Sequence, residues 1–368
     1  MKKKNLCKTL VKTMCIVLGI LILALLAYIV YLYASYYRIE DNQELVVEAP
    51  VDDTTTGAAA VLATDTEYSA LTYNIGFGAY LPDYSFFMDG GTSSWAESPE
   101  TVQYAINGAG ELVKSLDPDF ALIQEIDLDA TRSYHINEYE MLRSSLSEYT
   151  TVFAQNYDSA FLFYPFTQPH GSSRSGLGLF SRYPVSSALR RSFPISTSFS
   201  KFFDLDRCYS VSRIPVDNGK ELVIFNLHMS AYGNSDAIRK GQIEMLCNDM
   251  AKEYEAGNYV LCGGDFNHDL KASEEDTESC ESWAFPFPRT ELPEHFAFCL
   301  DLLSTEEQAA LWNSARNADM EYVPGVTYTV TLDGFIISDN IECLSYENVN
   351  TGYSYSDHDP VKVEFVLK

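Results

Sequence analysis

Gly263-Gly264-Asp265-Phe266-Asn267 closes the apolar run Tyr259–Gly263 (YVLCG), and Ser356-Asp357-His358-Asp359-Pro360-Val361 leads into the last apolar run of the chain. Each places carboxylates, with only Asn or His beside them, where a buried strand stops. The pattern recurs upstream. Asn74 ends Tyr68–Asn74 (YSALTYN), Glu125 stands near the end of Phe120–Ile126 (FALIQEI), His228 ends Glu221–His228, and Asp333 interrupts Thr327–Ile337. In layered α/β proteins, residues at strand ends converge on a crevice, where sites form. Carboxylates accompanied by Asn and His suit a hard divalent cation such as Mg²⁺, whose substrates commonly carry phosphate. Each residue alone has a plainer reading. Asn74, Asp265, Asn267 and Asp333 fit turns, His228 fits a core or rim histidine, and Asp357-His358-Asp359 fits a solvated corner before Pro360. Glu125 resists this, because a charge ending a largely apolar run must be solvated or bound.

Around these points, short β-rich runs alternate with helical stretches. Pro99–Lys114, Asn137–Tyr149, Ser235–Glu255 and Thr305–Ala315 have helical spacing. Thr150–Ala154, Gly176–Ser186, Cys208–Val216, Ile341–Tyr346 and Val361–Leu367 read as further strands. Asp217-Asn218-Gly219 is the signature of a hairpin turn. Many strands, some hairpin-joined, with few long helices, predict mixed sheets under outer helices. G-x-G-x-x-G, Walker, H-E-x-x-H and G-x-S-x-G motifs are all absent, which removes the simplest support for dehydrogenase, nucleoside triphosphatase, zincin and α/β-hydrolase readings.

In chain order the pieces are L-T-Y-N-I-G, I-Q-E-I, G-L-G-L-F-S-R-Y-P-V, N-L-H, G-G-D-F-N, L-D-G-F-I-I-S and S-D-H-D-P-V, from Leu71 to Val361. This series resembles the endonuclease/exonuclease/phosphatase superfamily. The resemblance implies a DNase-I-like four-layer α/β sandwich, two mixed β-sheets packed together with helices outside. It also implies metal-dependent hydrolysis of a phosphoric ester, with Mg²⁺ as the cofactor and Mn²⁺ as the alternative. By the same resemblance Glu125 is the principal metal ligand, and Asn74 and Asp357 support the metal or its waters. Asp265 orients or deprotonates the attacking water, and Asn267 holds it and the phosphate. His358 contacts the scissile phosphate with Asp333 fixing its tautomer and charge, and His228 acts near the leaving group.

Charge and hydropathy frame where this chemistry takes place. The 368 residues carry a formal net charge of −27. From Asp41 onward there are 19 Lys and Arg against 51 Asp and Glu, while five lysines and no acid occupy the first dozen positions. An apolar run, Cys15–Ala34, follows these lysines and ends among tyrosines. Twenty helical residues span about 30 Å, a bilayer's hydrocarbon thickness. Residues 1–37 are therefore expected to be a cytoplasmic leader and single-pass anchor. Residues 38–66 should be a flexible acidic linker, and residues 67–368 a catalytic domain outside a cell membrane. The alternative for the leader is a cleaved signal peptide, whose apolar part is shorter. No N-x-S/T sequon occurs, which with the lysine-rich leader favours a bacterial membrane. Cys208, Cys247, Cys262, Cys280, Cys299 and Cys343 form no CxxC or zinc-ribbon spacing, and no disulfide pairing is read from them.

The acidic body disfavours nucleic acid without excluding it, since polyanion binding needs clustered Lys and Arg. The anchor and the aromatic stretches Tyr84–Met88, Phe161–Phe166 and Trp283–Phe287 suit a lipid headgroup or other small phosphoester; their plainer role is to pin loops to the body. Arg174, Arg182 and Arg207 are candidates for extra phosphate contacts, with an ordinary ion pair as the alternative for each. The expected function is a membrane-anchored phosphodiesterase. An outward-facing nuclease and a non-catalytic surface binding protein are the alternatives, although none of the matched site positions is lost.

Overall fold

The computed structural model describes residues 2–52, 61–202, 204–230, 236–273 and 284–368. It divides into two units, Met1–Arg38 and Ile39–Lys368. The first is one helix, α1 (Lys2–Ser35), and the most apolar 18 residues within its stretch Leu6–Ser35 have a mean hydropathy of 2.9. That stretch is long and apolar enough to cross a bilayer, a property that a membrane anchor and a signal sequence share.

The second unit is built on two mixed sheets. One runs, edge to edge, through β15 (Ile341–Asn348), β16 (Val361–Leu367), β3 (Glu67–Asn74), β4 (Phe120–Ala130), β6 (Ser173–Ser181), β5 (Thr150–Asp158) and β2 (Val47–Glu48). The other runs through β1 (Gln43–Glu44), β7 (Ser187–Ser192), β8 (Cys208–Pro215), β9 (Glu221–His228), β10 (Tyr259–Asp265), β14 (Asp333–Ser338) and β11 (Phe296–Phe298). β12 (Ala315–Arg316) and β13 (Thr329–Val330) form a separate two-stranded ribbon.

Helices cover the outer faces. α2 (Pro99–Leu116) starts at Ser98, whose side chain accepts from the Thr101 amide, and has proline in its first turn; it ends at Asp117, in a left-handed conformation. Its stripe Val102, Ile106, Ala109 and Val113 packs with Leu71, Tyr73, Ile123 and Phe180 of the first sheet, as does Leu142 of α3 (Glu138–Ser145). On the far side, Ile243, Leu246 and Met250 of α4 (Asp236–Glu255) join the larger core with strands of the second sheet. The sheets are thus covered on two faces at their centres, where β9, β10 and β14 are buried almost along their whole length. The four-layer sandwich expected from the sequence is the fold observed.

A polar pin crosses the layer between the sheets. Gln124 donates to Thr72 at 3.1 Å and to Asn226 Oδ1 at 2.8 Å, and Asn226 donates to the Gly178 carbonyl at 3.0 Å. Asn74 lies two residues beyond Thr72 and so points into the same layer. Close approach at the end of β10 requires glycine: Gly264 has φ 147°, and a Cβ there would lie 2.1 Å from the Leu227 carbonyl oxygen.

Several expectations change. The segment read as a flexible linker, 38–66, is tied to the body at several points from Ile39 onward, and residues 53–60 lie outside the described residues. Gln43 and Glu44 pair with Arg190 and Leu189, and Val47 and Glu48 pair with Val152 and Thr151. Asp41 accepts from the Ser192 amide at 2.7 Å, and Leu62 is fully buried. The strap caps the open edges β7 and β5, whose backbone groups would otherwise go unpaired. Strand β7 was not anticipated, and Thr327–Ile337 is broken between β13 and β14. The final helix, α5 (Thr305–Ala310), stops short of Ala315, which pairs with Val330 instead. The described cysteines are free thiols; Cys280 and Trp283 lie outside the described residues.

Candidate active site

Strand register aligns three of the expected side chains. Asp265, at the end of β10, pairs with His228 on parallel β9 and with Asp333 on antiparallel β14, so the three stand in a row. From the first sheet, Asn74 closes over this row. Its Nδ2 donates to Asp265 Oδ2 at 3.0 Å and to Glu125 Oε1 at 3.2 Å, while its Oδ1 accepts the Gly76 amide at 3.0 Å. Asn74 therefore draws two carboxylates together with its nitrogen and spends its oxygen on the backbone.

Glu125 reaches the site through a backbone irregularity. Regular alternation after inward-facing Gln124 would turn Glu125 to the opposite face of β4. The register against β6 shifts between Ile123 and Ile126, and Glu125 has φ 57°. A left-handed non-glycine residue at a bulge is a strained feature of the kind that collects at functional sites.

The fourth side is the corner before β16. Ser356 Oγ donates to the Asn74 carbonyl at 2.8 Å, which fixes Asp357 beside the first sheet. His358 Nδ1 lies 2.7 Å from Asp333 Oδ2, and Ser314 Oγ donates to the same oxygen at 2.7 Å. This leaves His358 Nε2 facing Asp265 Oδ2 at 3.8 Å. His228 Nε2 lies 3.6 Å from Asp265 Oδ2 and 3.8 Å from Glu125 Oε1, and its Nδ1 has no hydrogen-bond partner. Asn267, with φ 50°, donates its backbone amide to Asp265 Oδ1 at 2.8 Å and its side chain to the Met229 carbonyl at 3.0 Å. All eight residues named from the sequence meet within one crevice.

Burial and mutual charge set the electrostatics. Burial, with the Asp333 charge, pushes the Asp265 carboxyl up to about 7 against the pull of His358 and two hydrogen bonds. Burial also raises Asp357. It would lower His358, but the Asp333 charge and hydrogen bond outweigh it, helped by Asp265 and Asp357, and hold this imidazole well above its ordinary value. His228 is driven well below its ordinary value by burial and the nearby cations, Arg207 first, and stays neutral. The two histidines therefore differ in charge.

The donor set fits a hard divalent cation. Asp265, Asp333 and His358 each bring one ligand atom within 4.8 Å of the others, and Glu125 and Asp357 add carboxylates from the opposite wall. Asp333 and His358 are already committed to each other, so the acidic pair Glu125 and Asp357 is the better holder. Buried carboxylates this close need an external positive charge, which is the condition a bound cation meets.

A family model for the Endonuclease/Exonuclease/phosphatase family matches residues 71–302, which take in Asn74, Glu125, His228, Asp265 and Asn267. The chain belongs to this family. Members of this family are phosphoric ester hydrolases, typically dependent on a divalent metal, and this chain is one of them. Among solved structures, the endonuclease/exonuclease/phosphatase of Beutenbergia cavernae is 15% identical with a TM-score of 0.54, over 82% of this chain and 72% of that one. The family protein of Bacteroides vulgatus is 17% identical, TM-score 0.53, over 83% and 100%. ANGEL2, a 2′,3′-cyclic phosphatase in complex with adenosine-2′,3′-vanadate, is 12% identical, TM-score 0.56, over 82% and 96%. These likenesses show the fold. No curated protein sequence matches the chain.

The site opens into a cleft of about 430 Å³. Phe86 and Met88, from one of the aromatic stretches, line it, whereas Phe163, Tyr164 and Phe166 from the second are exposed. Of the three arginine candidates, Arg174 pairs with Asp129 at 2.9 Å and Arg182 with Asp117 and Glu148. Arg207 lines the cleft and is buried, with no ion pair among the described residues. The sequence did not single out Ser314, which holds Asp333, nor Arg132, which is clamped on Asp127 at 2.9 Å with its guanidinium 3.6 Å from the Phe77 ring. Neither stands at the end of an apolar run, the one signal used to pick candidates.

Proposed function

We propose that the protein is a membrane-anchored, Mg²⁺-dependent phosphodiesterase that acts on a small or lipid-headgroup phosphoester by in-line attack of water. The observation that carries this reading is the row His228–Asp265–Asp333 facing Glu125, Asn74 and Asp357 across one crevice. Glu125, with Asp357 and the residues around Asn74, would hold the cation, which supplies positive charge against the charge developing on phosphoryl oxygens. Asp265 is placed to accept a proton from water, held at one oxygen by the Asn267 amide and at the other by Asn74. His358, kept cationic by Asp333, offers Nε2 to a phosphoryl oxygen. His228, neutral, presents Nε2 on the opposite flank of Asp265, where a leaving oxygen would depart.

The long apolar N-terminal helix supports the anchor, with residues after it on the outer side of the membrane. The acidic body and the exposed aromatics support a lipid or small-molecule ester over nucleic acid. The test is hydrolysis of bis-p-nitrophenyl phosphate by the full chain in detergent micelles. Turnover is expected with Mg²⁺, none with EDTA, and a loss of about 10⁴-fold in Asp265→Asn with the melting temperature retained. No turnover with any divalent metal would overturn the reading, and nicking of plasmid DNA at a rate matching the small ester would shift it to a nuclease.

A further inference from the structure

At the end of the cleft away from Asp333, two buried side chains carry polar atoms that find no hydrogen-bond partner among the described residues. Asn156, on β5, is 1% exposed, and neither its Oδ1 nor its Nδ2 has a hydrogen-bond partner. Arg207, immediately before β8, is 6% exposed, and its Nε and Nη1 also lack partners. Both line the cleft that holds the catalytic row. A buried amide or guanidinium left without partners loses its hydration with nothing in return, so a sequence retains it where something else completes it. Next to them Asp206 is engaged: its carboxylate accepts the Ile39 amide at 3.2 Å, and its carbonyl accepts from Arg190 at 2.8 Å. Arg207 is thus flanked by backbone contacts while its Nε and Nη1 have no partner among the described residues.

The chemistry of the free atoms defines what completes them. Arg207 offers two donor nitrogens, Nε and Nη1, to oxygen and cannot give up its charge. Asn156 offers both a donor and an acceptor, which suits a group that accepts and donates at once, a hydroxyl. A quaternary ammonium would bring a second positive charge toward Arg207, and the Phe77 face that could cradle it is already covered by Arg132.

We infer that Asn156 and Arg207 form a subsite for the non-scissile end of the phosphoester, and that the group it takes is hydroxyl-bearing and oxygen-rich, of the polyol-phosphate kind, in preference to a quaternary ammonium. This deepens the proposed function and rests on it for the position of the scissile phosphate. Glycerol-type and inositol-type headgroups share this chemistry, whether they come from a lipid or from a free diester.

The test separates binding from turnover. Glycerophosphoglycerol and glycerophosphocholine are titrated calorimetrically into the full chain in detergent micelles, with Mg²⁺ and again with EDTA. The expected result is about tenfold tighter binding of glycerophosphoglycerol, the scale of one well-made charged hydrogen bond. Asn156→Leu and Arg207→Gln should each bring the ratio of the two affinities close to one. Arg207→Lys keeps the charge without the fork and should leave a reduced preference; it serves if the glutamine variant does not fold. A ratio near one in the unmodified chain, or a preference that survives both Asn156→Leu and Arg207→Lys undiminished, would overturn the inference. Failure of the phosphodiesterase reading would show separately, as absent turnover of bis-p-nitrophenyl phosphate whatever the binding ratio.

Discussion

The two ends of the cleft differ in how their polar groups are satisfied. At the catalytic end most side chains are tied to another part of the chain, Asn74 to Glu125 and Asp265, His358 to Asp333, Asp333 to Ser314 and Asn267 to Met229, with His228 Nδ1 and Asp333 Oδ1 as the exceptions. At the other end Asn156, Arg207 and His170 keep buried atoms without partners among the described residues. A reaction needs groups already in place when charge develops, so the chain orients them beforehand. Recognition leaves room for a ligand to supply the missing bonds, and discriminates because a wrong ligand leaves them unmade.

The comparison can be broken first at Asp333. It touches no substrate in the proposed arrangement and acts through His358, so its role is positioning. Asp333→Asn keeps the shape but removes the charge that holds the imidazole cationic. Turnover of bis-p-nitrophenyl phosphate should fall about 10²–10³-fold with KM changed far less, the pattern of an interaction made in the transition state. A fall in KM-dependent binding alone, with kcat unchanged, would place Asp333 with the recognition end instead.

The same contrast explains what the sequence could convey. Strand-end residues were legible because a carboxylate or histidine that closes an apolar run stands out against its neighbours, and all eight candidates meet in the crevice. The sheets were legible from β-rich runs, and Pro99 marked the start of α2. Asn156 was not, since in T-T-V-F-A-Q-N-Y-D an inward polar residue looks like an outward one. Nor was the docked strap: an acidic Thr/Ala-rich segment reads as coil, and pairing of Gln43–Glu44 and Val47–Glu48 with distant strand edges carries no local signal. The φ of 57° at Glu125 is likewise a product of the bulge and not of the residue type.

A second, smaller effect lies in acid stability. His170 lines the cleft at the recognition end, and burial, followed by the Arg132 charge, pushes its pKa down from the ordinary 6.5 to about 3. The unfolded chain then binds a proton between those values that the folded chain refuses, so this residue's contribution falls as pH drops below about 6.5. At pH 5 the loss amounts to about 2 kcal/mol. Urea unfolding of His170→Gln and the unmodified chain should show their stability difference moving by that amount in the variant's favour between pH 7.5 and pH 5. A difference that stays constant over this range would mean that His170 is charged in the fold and that this end of the cleft is wetter than its burial implies.

The smallest effect is expected where an arginine already has its partner. Arg174 and Arg207 carry the same guanidinium, and the sequence ranked them equally as phosphate contacts. Arg174 has a side chain 53% exposed and an ion pair with Asp129, itself 44% exposed, at 2.9 Å. An exposed pair of this kind contributes about 0–1 kcal/mol, because water solvates either charge nearly as well as the partner does. Arg174→Gln should therefore leave turnover within about twofold and the preference for glycerophosphoglycerol over glycerophosphocholine intact. Loss of that preference would move the recognition surface from the buried end of the cleft out to its rim, because a solvated guanidinium can select a headgroup only if the bound substrate covers it.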